Sequence, residues 1–161
     1  MDEARQAGHE FFRALMVTVV GQAYQAAGYA LENAPLKWLN GHYRWTKALP
    51  DGLYGLIDYQ VLIYGDTPHA ARTPSRFRVS LTRADNAHGR ASAHPAYAAR
   101  TLSALVVQDF GVAILPSADH WWTFHNTHSL GLALAEAGRL VVGYGLGWLD
   151  GSLQAPPRGG G

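Results

Sequence analysis

Cysteine is absent from the 161 residues. That excludes disulfides, thiolate metal sites and a cysteine nucleophile. Charge is scarce: Asp, Glu, Lys and Arg make up 16% of the chain, against about a quarter in an average soluble domain. The formal net charge is +1, so the strongly basic footprint of a nucleic-acid-binding domain is missing. Lysine is rare, two residues against eleven arginines. Beside so much Ala and Gly, that bias reads as GC-rich coding rather than function. Residues 14–31 carry no charge, but Thr18, Gln22, Gln25 and two glycines interrupt them. They predict a buried amphipathic helix, not a membrane span. Asp2, Glu3 and Glu10 give the first ten residues the wrong sign for a signal-peptide n-region. The expectation is a cytoplasmic protein with no membrane association.

What is present is a globular composition, 48% hydrophobic, which excludes bulk disorder. The chain reads as one domain over 1–152 and a disordered Pro/Gly tail over 153–161. Residues 3–28 predict a helix with an apolar stripe of Phe12, Leu15, Met16, Val19, Ala23 and Ala27. Gly28 stands where a left-handed residue ends it. Asn40-Gly41 then predicts a two-residue hairpin between residues 36–39 and 42–45. Pro50-Asp51-Gly52 predicts a three-residue turn in which Leu49 pairs with Leu53. Tyr43 then faces Tyr59 and Trp45 faces Ile57 on one side. Arg44 faces Asp58 and His42 faces Gln60 on the other. Residues 76–83 alternate cleanly, with Phe77, Val79 and Leu81 opposite Arg76, Arg78, Ser80 and Thr82. Residues 84–100 predict a mobile loop. Residues 102–115 read as two short strands, or as a helix through 97–107. Asn126 or Thr127 caps a helix over about 128–142. The fold class expected is α+β: an N-terminal helix on an antiparallel β-meander, with a C-terminal helix.

Ordered short motifs run through residues 9–151. They are Ala27-Gly28-Tyr29, the aromatic hairpin, Asp58-Tyr59-Gln60 and Arg76-Phe77-Arg78-Val79-Ser80-Leu81. Asp119-His120-Trp121-Trp122 and Tyr144-Gly145-Leu146-Gly147-Trp148-Leu149-Asp150 follow. In this order the chain resembles a family of small bacterial α+β domains of unknown function. Gly147 stands where that pattern has proline. The resemblance implies the fold and carries no activity or site residue.

Four constellations could bear chemistry. Asp119, His120, His125 and His128 are ligand types that suit zinc, although their spacing is not that of HExxH. They would serve a small metal-dependent hydrolase. Otherwise no cofactor is expected, with zinc the one candidate. Arg44, Asp58, Gln60, Arg76 and Arg78 share the polar sheet face, where a salt bridge on a solvated surface is the plainer reading. With Arg83, these arginines would serve a nucleic-acid-acting protein, an expectation the low net charge opposes. Gly143, Gly145 and Gly147 do not form a nucleotide loop and suit a chain turn. Trp121, Trp122 and Phe124 suggest an aromatic interaction surface. No G-x-S-x-G is present. The leading expectation is a non-catalytic module binding another protein, or itself, as an immunity or antitoxin-like domain does. Residues 101–135 hold only two charged side chains, Asp109 and Asp119. That neutrality points to residues 105–125 for an interface or pocket.

Overall fold

The computed structural model describes residues 3–64 and 74–157. The loop with Pro68, and residues 158–161 of the predicted tail, lie outside them. Helix α1 spans Glu3–Ala26, and Gly28 follows at φ +95°. Among the described residues, six strands form one antiparallel sheet: β1 Ala30–Leu31, β2 His42–Ala48, β3 Tyr54–Leu62, β4 Ser75–Ala84, β5 Ala98–Thr101 and β6 Trp122–Phe124. β1 to β4 follow each other in space, and β5 and β6 share the far edge of β4. The expected α+β class holds, and so does the β2–β3 register. Tyr43 pairs with Tyr59, Arg44 with Asp58, Trp45 with Ile57, and Leu49 bonds Leu53 across the 50–52 turn.

Odd-numbered side chains of β2, β3 and β4 form the core with α1 and with α4, Thr127–Leu140. Phe12 is the hub, with ring centroids 5.4 Å from Tyr43, 5.5 Å from Phe77 and 6.1 Å from Phe124. Tyr24 crosses Trp45 edge-on and shares a 2.6 Å hydroxyl hydrogen bond with Tyr59. That bond satisfies two phenols that burial would otherwise penalise. Burial holds both hydroxyls protonated, well above the usual tyrosine range.

Several expectations are corrected. The first predicted hairpin does not form. Residues 35–39 are a short helix, α2 (Pro35–Leu39), and β2 pairs instead with Ala30–Leu31. Pro35 presets the helical φ at the first turn. Asn40 and Gly41 then end the helix, Gly41 at φ +78°. The buried stripe of α1 is Phe12, Met16, Val20 and Tyr24; Leu15, Val19 and Ala27 flank it and Ala23 is exposed. Residues 98–101 are strand, not loop. They lead into α3 (Leu102–Ala104) and a π turn, Leu105–Asp109. The C-terminal helix does not stop near 142. It continues through a π turn, Val141–Gly145, into α5 (Leu146–Asp150). The three glycines therefore sit in helix; Gly145 lets β4's Leu81 approach to 3.0 Å of where a Cβ would stand.

Candidate polar groove on the open face of the sheet

The even-numbered side chains of β2, β3 and β4 point away from α1, because strand periodicity is two. Register arranges them in rows across the sheet. Thr46, Leu56 and Thr82 form one row, Arg44, Asp58 and Ser80 the next, and His42, Gln60 and Arg78 the third. The first row is covered at its centre. Leu56 is fully buried because Gly89 of the 85–97 loop lies against it at φ +71°, leaving no room for a side chain there. Arg44, Asp58 and Ser80, with His42 and Gln60 of the third row, floor a groove of about 440 Å³.

Arg44 joins the two regions. Its Nε donates to Asp58 Oδ1 at 2.6 Å and Nη2 to Oδ2 at 3.3 Å, a two-pronged pair. The third prong, Nη1, donates to the His88 carbonyl at 2.9 Å and pins the covering loop. Burial alone would lower the Arg44 pKa; the Asp58 hydrogen bond and charge, with Glu32, hold it above the usual value. Lys37 of α2 and Glu32 form a 3.1 Å ion pair on the groove wall. Sequence reasoning missed both: it read residues 36–39, with Lys37, as a hairpin strand and assigned Glu32 no role.

At the β4 side the five expected polar-face residues are completed by Trp121. β6 pairs Arg76 with Thr123 and Phe77 with Trp122. Trp121, one residue earlier, falls opposite Arg78. Its ring lies 4.6 Å from the Arg76 guanidinium carbon and 4.8 Å from that of Arg78. Arg78 Nε also donates to Gln60 Oε1 at 3.0 Å. Arg76 Nε is buried with no hydrogen-bond partner. Among the described residues, neither guanidinium meets a carboxylate.

The aromatic surface expected at Trp121, Trp122 and Phe124 is corrected. Trp122 and Phe124 face the core, at 4% and 8% exposure. Trp122 stacks on Phe77 at 5.5 Å, and its indole N–H donates to Glu136 at 2.8 Å. Adjacent strand residues point to opposite faces, so only Trp121 reaches the polar side. Arg83 does not join the other arginines. It bonds the Ala96 and Trp148 carbonyls at the opposite end of β4.

Nor do Asp119, His120, His125 and His128 assemble. No three His, Asp or Glu side chains among the described residues form a metal-ligand group. His120 packs edge-on against Trp122, 4.7 Å between centroids, and burial lowers its pKa despite Glu136. Asp119 is exposed on a turn, His125 precedes the helix cap, and His128 is exposed in the first turn of α4. The D-H, H-x4-H spacing crosses three local conformations, which scatters the side chains.

A second cavity of about 310 Å³ lies between α1 and α2, beside Trp38, His9 and Arg13. Arg13 lies over the Trp38 ring at 4.5 Å and fills its edge. No helix among the described residues is long and apolar enough to cross a membrane. No protein-family profile matches the chain, and neither a curated protein nor a solved structure matches it.

Proposed function

We propose that this protein is a non-catalytic binding module that takes a segment of a protein partner, or of a second copy, on the open polar face of its sheet. The observation that carries this reading is the state of the groove's charges. Asp58, the carboxylate on the floor, has both oxygens engaged by Arg44, and Glu32 is engaged by Lys37. The groove's two carboxylates are therefore not the free, positioned groups that general acid–base catalysis needs. Groups locked to each other instead make a fixed, polar, rigid platform, which suits recognition. The surrounding donors and acceptors, His42, Ser80 and Gln60, offer the mixed hydrogen bonding that a peptide backbone needs.

An array of random octapeptides tests the reading with two variants. Ser80→Tyr fills the groove from its floor. Leu132→Ser alters the outer surface of α4, where Leu132 is 61% exposed. The wild type and Leu132→Ser are expected to bind the same subset of peptides, and Ser80→Tyr to lose it. Unchanged binding by Ser80→Tyr, or no peptide bound by the wild type, would overturn the reading.

A further inference from the structure

We infer that Arg76, Arg78 and Trp121 form a carboxylate subsite beside the groove, joined to it through Gln60, built for an acidic, extended peptide segment. The inference rests on the polar-face reading and names the chemistry of its ligand. Three observations lead to it. Both guanidinium carbons lie over one indole, at 4.6 and 4.8 Å from its centroid. A cation–π contact with the ring does not consume the N–H donors of a guanidinium, which can still meet a planar oxyanion. Arg76 Nε is buried without an acceptor, and a desolvated donor of a charged group gains most from one. Gln60 orients Arg78 by a neutral hydrogen bond, so its charge is not cancelled.

Spacing and charge pattern choose the occupant. Arg76 and Arg78 are alternate residues on one face of a strand, about 7 Å apart along it. A Glu-x-Glu segment in extended form presents two carboxylates at that same period. A nucleic-acid backbone fits less well. In the adjoining groove Asp58 and Glu32 are paired with Arg44 and Lys37, which leaves no uncompensated cation there for a long polyanion. The charges are paired in the groove and uncompensated beside it, at the cations Arg76 and Arg78. That gradient favours a ligand acidic at one end only.

The test is a titration followed by NMR of arginine Nε–H and tryptophan indole N–H groups, at low salt. The probes are Ac-Gly-Glu-Ala-Glu-Gly-NH2, its Gln-x-Gln isostere, inorganic phosphate and a thymidine decanucleotide. The Glu peptide is expected to move the Arg76, Arg78 and Trp121 signals and to bind at least tenfold tighter than the isostere. Arg76→Lys/Arg78→Lys keeps the charge and the aliphatic stems but removes the planar forks. It is expected to cut Glu-peptide affinity to near that of the isostere, with an unchanged melting temperature showing that it folds. Equal binding of the two peptides on this face would overturn the carboxylate subsite and leave the polar-face reading standing. Preference for phosphate or the decanucleotide would also overturn it, in favour of a phosphate ligand. If no probe moves any signal on the face, but the octapeptide array finds ligands that Ser80→Tyr loses, the subsite alone fails. If both experiments are blank, both readings fail.

Discussion

At the scale of single residues, Trp121 and Trp122 separate stability from function. They are chain neighbours with opposite environments. Trp122 is buried, stacked on Phe77 and hydrogen-bonded to Glu136. Trp122→Ala should destabilise the protein by about 3–5 kcal/mol, the range for large aromatic truncations in a core. Trp121→Ala loses a part-exposed cation–π contact and should cost about 1 kcal/mol or less. Urea denaturation of the two variants measures the gap, and comparable losses would mean that Trp121 also belongs to the core. His120 adds a pH effect. Its pKa is lowered by burial, so the unfolded chain binds the proton more readily. This contribution is intact above the ordinary histidine range and declines as pH falls through it. Stability measured from pH 7.5 to 5 should fall less steeply in His120→Asn than in the wild type. Identical slopes would show that His120 titrates the same way folded and unfolded.

Secondary-structure elements show where local chemistry decided the outcome and where it did not. Five polar-face residues were legible, because strand periodicity and the Leu49–Leu53 turn fix which side chains share a face. Asn40-Gly41 misled because the same pair suits both a hairpin turn and a helix end. Pro35, five residues before Asn40, tips the balance toward helix. Trp121 reaching Arg76 and Arg78 was not legible, since β6 joins β4 across more than 40 residues of sequence. No local pattern announces such a pairing. Both ends of these elements can be tested. Gly41 adopts φ +78°, and a Cβ there would strike the Val61 carbonyl. Gly41→Ala should therefore cost more than about 1 kcal/mol. Asn126 caps α4, with its side chain accepting from Ser129 N at 2.8 Å and Ser129 closing the reciprocal bond. Asn126→Ala should cost about 1 kcal/mol. Thermal melts that leave either variant at the wild-type midpoint would contradict these local accounts.

Across the whole molecule, the scarcity of charge takes on a different meaning. The neutral stretch after residue 100 supplies part of the core and is otherwise half-buried or exposed. Leu102, Leu105, Val106, Leu115, Trp122 and Phe124 are buried, and only Trp121 of that segment joins the arginines of the polar face. The groove lies where charges are plentiful and mostly paired. Two faces thus compete as working surfaces. One is the polar groove; the other is the outside of α1 and α4, where Phe11 and Leu132 are exposed. A backbone amide shift map, recorded while the tightest-binding array peptide is titrated in, discriminates between them directly. The account predicts the largest shifts at His42, Arg44, Gln60, Arg78 and Ser80. Largest shifts at Phe11, Leu132 and Val142 would contradict it.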